Sequence, residues 1–255
     1  MSTDRAFTRT AYRLKYLISE SFPIIRWSFS VMVIAFTAVV SVYKYIDLSD
    51  MAATAFSSLE TVFLNLTDSI NIIFIYLPLY LFIISGIVTT DNFGANGIIK
   101  YGSRGGWLIS KLILLILNTA AFFILLFGMN MLAAHRVFPF SSSWSSGFIS
   151  LRVMMGQSAL DFVYPPLTTL GISVLALFLL YLLCGAVSVL TAVLTEKEEL
   201  ALLASLLFGI SAGLINMSVT ANDAFANTVR CIIIVITISI IALLCFIKVK
   251  SKDFA

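Results

Sequence analysis

Residues 107–134 read WLISKLILLILNTAAFFILLFGMNMLAA, with a single charged side chain, Lys111, in the whole run. A membrane-crossing helix needs about 20 mostly apolar residues. A barrel strand is about half as long and alternates in polarity, so length selects helix over strand. Five further stretches meet the same test, roughly 24–45, 69–89, 166–194, 200–219 and 228–247. The expected fold is therefore an all-α membrane protein with six transmembrane helices, and residues 1–255 form a single domain.

Composition agrees with that reading. The 255 residues are 60% hydrophobic and 11% charged, with a mean hydropathy of +1.03. A soluble globular domain is nearer half apolar and a quarter charged, so lipid has to serve as part of the solvent. The net charge of +3 is too small to suggest nucleic acid. Cys184, Cys231 and Cys245 lie in apolar runs without metal-ligand spacing and read as packing residues. The first apolar run ends Val42-Tyr43-Lys44-Tyr45 without a small-residue cleavage site, so it is expected to be a retained span.

Charge placement sets orientation. With the N-terminus inside, Arg5, Arg9, Arg13, Lys15, Arg26, Lys100, Arg104, Lys111, Lys197, Lys248, Lys250 and Lys252 fall inside. Only Lys44, Arg136, Arg152 and Arg230 fall outside. Both termini are thus expected in the cytoplasm. Residues 5–22 carry Phe7, Ala11, Leu14, Ile18 and Phe22 on one helical face, with Arg5, Arg9, Arg13 and Glu20 on the other. That pattern predicts an amphipathic helix lying in the cytoplasmic interface, with Phe7, Arg9, Arg13, Leu14 and Ile18 as its membrane-facing and anchoring residues.

The connections add detail. The outside loop 46–68 is expected to hold at most a short surface helix, and Asn65-Leu66-Thr67 fits a glycosylation acceptor. An external interfacial helix is expected near 147–160. Thr195 with Glu198 reads as a capping box for the fifth span. Pro78 lacks a backbone donor and predicts a kink in the second span. Lys111 should snorkel to the cytoplasmic surface. Asn71, Asn118, Asn130 and Asn216 are expected to hydrogen-bond between helices.

Machinery for chemistry is missing from the sequence. There is no GxxxxGK[ST] loop and a single histidine, His135, which makes neither a metal site nor a dyad. Glu198-Glu199 is a pair of acids of the kind used by intramembrane CAAX-type proteases, but the arginine and histidines such enzymes need are absent. Every Asp and Glu falls in a loop or near a span end, which disfavours an ion-coupled relay. The chain is expected to be no enzyme and to bind no cofactor or metal itself.

A basic amphipathic N-terminal helix and two spans come first. A segment ending Lys100-Tyr101-Gly102-Ser103-Arg104 follows, then Trp107-Leu108 and Lys111, then four more spans. That order resembles the permease subunits of ABC-2-type ATP-binding-cassette exporters. The resemblance implies a dimer of permeases in the cell membrane, with no nucleic acid among the partners. Each permease would dock a separate ATPase that carries ATP and Mg. The coupling element would be residues 91–106, with Ile98, Ile99, Tyr101 and Arg104 pressed into the ATPase. It also implies export of an amphipathic or hydrophobic substrate such as an antimicrobial or toxin-like peptide. The family's re-entrant helices lie between the fifth and sixth spans, and here that stretch is short and polar. An accessory or assembly subunit and an ion-coupled secondary transporter are the alternatives.

Overall fold

The computed structural model describes residues 22–51, 56–88, 104–154, 164–195, 197–217 and 224–251. For 51, 88, 104, 213–217, 224–230 and 249–251 it describes the backbone alone. The interfacial helix expected at 5–22 lies outside the described residues except for Phe22. The coupling residues Ile98, Ile99 and Tyr101 lie outside them entirely.

The described chain is helical throughout, with no strand among the described residues. Helix α1 is Ile24–Met51, α2 is Ser58–Thr67, and a π-helical turn at Asn71–Tyr76 leads into α3, Leu77–Val88. Then come α4, Arg104–His135; α5, Ser146–Met154; α6, Pro166–Thr195; α7, Glu198–Met217; and α8, Ala224–Ser251. Among the described residues four helices are long and apolar enough to cross a membrane: α1, α4, α6 and α8. The bent pair of α2 with the π-turn and α3 makes a fifth if it counts as one span. The protein is therefore a multi-pass, membrane-embedded helical bundle. The sixth apolar stretch is the 20-residue α7, whose first turn carries Glu198 and Glu199.

Helix α6 is the centre of the bundle, with α8, α7, α4 and α3 packed around it. Its own small residues allow the approach. A Cβ on Gly185 would run into Leu115 of α4 and come within 2.7 Å of the Tyr80 hydroxyl of α3. On α7, a Cβ on Gly209 would meet Leu77 at 2.6 Å and Cys184 Sγ at 3.2 Å. Small residues at helix crossings are how membrane bundles gain dispersion contact, because lipid supplies no hydrophobic drive between helices. Tyr80 belongs to a ring cluster with Phe122, Phe123 and Tyr181, whose neighbouring centroids are 5.2–6.0 Å apart. Ser205 of α7 donates to the Cys184 carbonyl of α6 at 2.6 Å and pairs with Ser188 at 2.5 Å. Cys184 and Cys245 are buried as packing residues, whereas Cys231 is half-buried.

Three sequence expectations give way here. Lys111 does not reach the surface: it is 2% exposed, enclosed on the inner face of α4. Thr195 is the last residue of α6, and its hydroxyl accepts the Lys197 N–H at 3.3 Å. Lys197 itself precedes α7 and accepts from Ala201, so Lys197 and not Thr195 stands at the entry of that helix. The stretch 58–67 is no surface helix, because every residue from Ser58 to Leu66 is buried.

Two irregularities precede Pro78, and neither is a kink at Pro78 itself. The α2 axis meets the following helix at 66° across Asp68–Ile70. The π-turn then ends with the Leu77 N–H on the Ile72 carbonyl, and Pro78 follows as the residue with no N–H to continue the ladder. The Tyr181 hydroxyl donates to the same Ile72 carbonyl at 3.0 Å, so α6 braces the π-turn from the side.

Candidate functional site

The candidate site is the end of the bundle at which α1 finishes, α2 turns back and α6 begins. Its apolar wall is built from Phe56, Phe63, Phe138 and Phe148, all buried. Trp144 stacks on Phe148 at 4.9 Å and sits edge-on to Phe63 at 5.7 Å, while its indole N–H donates to the Tyr164 carbonyl at 2.7 Å. Arg152 of α5 lies over the Phe63 ring at 5.7 Å. The connection 136–145, the short helix α5 and the start of α6 therefore close over α2.

One carboxylate ties this closure together. Ser57 caps α2 by accepting the Glu60 N–H at 3.3 Å, and Glu60 Oε2 accepts the Ser57 N–H at 2.6 Å. The two bonds form a capping box. The same carboxylate reaches a second helix. Oε1 accepts the Ser145 N–H at 2.5 Å and Oε2 accepts the Ser145 hydroxyl at 3.1 Å. Ser145 in turn caps α5 by accepting the Phe148 N–H at 3.2 Å. Two helix N-termini thus converge on Glu60, which is fully buried. Positive helix ends and donated hydrogen bonds offset the desolvation of the charge. Beside it, the Ser58 N–H donates to the Pro139 carbonyl at 2.9 Å.

One helical turn deeper lies a second hub, Asn65. Its Oδ1 accepts from Ser41 of α1 at 2.9 Å and from Asn71 of the π-turn at 2.5 Å. Its Nδ2 donates to Asn130 Oδ1 of α4, and Asn130 Nδ2 returns to its own helix at Leu126 O, 2.8 Å away. The Tyr76 hydroxyl lies beside the Asn65 and Asn130 amides, outside hydrogen-bond geometry. Asn65 is 2% exposed with both ends of its amide engaged, so the glycosylation reading of Asn65-Leu66-Thr67 is excluded. Four segments, α1, α2, the π-turn and α4, meet at one amide.

Sequence reasoning found Asn71 and Asn130 as interhelical bonding groups and missed both hubs. Asn118 bonds only to Leu114 of its own helix among the described residues, at 2.9 Å. Arg104 opens α4. Glu60 lies in the first turn of α2, near a span end as expected, but it is fully buried. The readable signal was Ser57-x-x-Glu60 directly before an apolar run, the same capping-box pattern sought at Thr195. Among the described residues there is no group of His, Cys, Asp and Glu able to hold a metal ion. No protein-family model, curated protein or solved structure matches the chain.

Proposed function

We propose that the chain is the six-span permease subunit of an ABC-2-type exporter. On this reading both termini are cytoplasmic and the Glu60 end faces outward. It works as a dimer and moves an amphipathic or hydrophobic substrate, with a toxin-like or antimicrobial peptide as the favoured class. ATP and Mg are used by a separate ATPase subunit, and no reacting group is needed in this chain. The observation that carries the reading is the order of elements around Lys100-Tyr101-Gly102-Ser103-Arg104. Residues 100–103 fall in sequence between α3 and α4, Arg104 opens α4, and Trp107, Leu108 and Lys111 follow on its first turns. The closed end built on Glu60 and Asn65 supports it, since an exporter at rest needs a sealed outer side. That seal would belong to α2 and α5, not to helices between the fifth and sixth spans.

Glu60 gives the ion-coupled alternative its one specific observation, a fully buried acid. Against it, three donors already engage both oxygens of the carboxylate, and two of them are helix-terminal N–H groups. The role this describes is an anchor between helices. The deciding experiment is gentle purification from the native membrane with mass spectrometry of co-purifying proteins. A stoichiometric ATP-binding subunit that is lost in Ile98→Asp and Tyr101→Asp is the expected result. Absence of any ATPase under several mild conditions would overturn the permease reading.

A further inference from the structure

At the opposite end of the bundle, the first turns of α1 hold a cation without an anion. The Arg26 guanidinium lies over the Phe82 ring at 5.7 Å and against Gly86, where an added Cβ would stand 2.8 Å from Nη1. Nη1 is buried and meets no hydrogen-bond acceptor. The next residue repeats the pattern. Trp27 packs against Phe22 with tilted rings, centroids 5.2 Å apart, and its indole N–H is buried without an acceptor. Among the described residues no carboxylate pairs with Arg26.

A partly buried guanidinium is costly unless an anion completes it. The surroundings say what kind of anion. Ile24 and Ile25 on the same turn are 80% and 83% exposed, and Phe29 and Met32 follow them outward on α1. Apolar side chains this exposed belong in acyl chains, so the site lies at the boundary between lipid and water. The negative group native to that boundary is a phospholipid headgroup phosphate, whose paired oxygens match the guanidinium fork. Gly86 leaves the room that seats Arg26 on Phe82, and the residue as a whole stays partly exposed.

We infer that Arg26 and Trp27, seated against Gly86 and Phe82, form a binding site for the headgroup phosphate of an anionic phospholipid. The site needs only that the chain be in a membrane, so it stands apart from the permease reading. The test uses the full chain reconstituted in vesicles of mixed phosphatidylglycerol and phosphatidylcholine. The protein is then extracted in detergent, and retained lipid is quantified by mass spectrometry. Wild type should retain phosphatidylglycerol in preference to phosphatidylcholine. Arg26→Ala should lower that retention about tenfold, the size of one lost charge-assisted contact. Gly86→Ala keeps the charge but displaces the guanidinium and should lower it in the same direction. Trp27→Phe keeps the ring, removes the donor and should have a smaller effect. Size-exclusion profiles identify any variant that fails to fold, and the other two then carry the test. Equal retention by wild type and a folded Arg26→Ala or Gly86→Ala would overturn the proposal. So would displacement of the lipid by excess inorganic phosphate, which would mark a free-phosphate site.

Discussion

The two ends of this bundle treat a buried carboxylate and a partly buried guanidinium in opposite ways, although Ser58 Oγ and the Tyr76 hydroxyl at the α2 end also lack a partner. At the α2 end every side-chain oxygen of Glu60 and Asn65 has a donor, and these donors come from α1, the π-turn and the N-caps of α2 and α5. At the α1 entry the Arg26 guanidinium and the Trp27 indole have no acceptor. In an apolar medium a polar group is either saturated by its own chain or completed from outside. The first case makes a fixed joint and the second a site. The contrast can be broken at the joint, and its size can be graded from the centre outward.

The largest effect belongs to Glu60. Glu60→Ala strands the Ser57 N–H, the Ser145 N–H and the Ser145 hydroxyl, and it removes a capping partner from two helices at once. The expected loss is about 3 kcal/mol. For a chain of this length that is a fall of roughly 10 °C in the melting temperature in detergent. Glu60→Gln keeps one acceptor but turns an amide N–H2 towards the donors, and should melt between the two. Hydrogen exchange should rise in α2 and α5 together, because both depend on one carboxylate. A wild-type melt for Glu60→Ala would end the idea that this side chain is a joint.

Much of this architecture could be read directly from the chain. The apolar runs at 24–45, 107–134, 166–194 and 228–247 became α1, α4, α6 and α8, because length and composition alone decide a membrane helix. What stayed hidden was whatever depends on a partner far away in sequence. Glu60 looks like a surface acid until Ser145 arrives beside it. Asn65 looks like a glycan acceptor until Ser41, Asn71 and Asn130 take its amide. Lys111 looks free to snorkel until the helices around α4 enclose it. The stretch 58–67 is too short to span and is interrupted by polar residues, so its hydropathy matches a surface loop, although tertiary hydrogen bonds make it part of the core. The coupling residues at 98–101 and the helix expected before Phe22 lie outside the described residues, so their reading rests on pattern alone.

The second effect measures the Asn65 hub. Asn65→Leu and Asn130→Leu should each destabilise the bundle, and the double variant should cost less than the sum. A double-mutant cycle read by chemical denaturation in detergent should give a coupling of about 1 kcal/mol, within the range for hydrogen bonds between membrane helices. Additive losses would mean that the two amides are neighbours without a shared bond. Ser41→Ala removes one of the two donors to Asn65 Oδ1 and should cost less than either asparagine.

The smallest effect lies where the saturated end meets water, and it separates a charge from a cap. Lys44 Nζ pairs with Asp68 Oδ2 at 2.8 Å, but the lysine side chain is 55% exposed. Such a pair contributes about 0–1 kcal/mol and is screened by salt. The other oxygen of Asp68 accepts the Ile70 N–H at 3.0 Å, while the Asp68 carbonyl accepts from Ile72 at 3.0 Å. Asp68 is therefore the cap on which the chain restarts its helix after the 66° bend. Lys44→Met should change the melting temperature little, and that change should vanish in high salt. Asp68→Ala should cost about 1 kcal/mol in any salt, because it uncaps the helix that carries the π-turn. Asp68→Asn should recover most of that loss, since the amide oxygen can still accept from Ile70. If Asp68→Asn proved as damaging as Asp68→Ala, the ion pair would be the element that fixes the bend, and this edge of the joint would depend on charge after all.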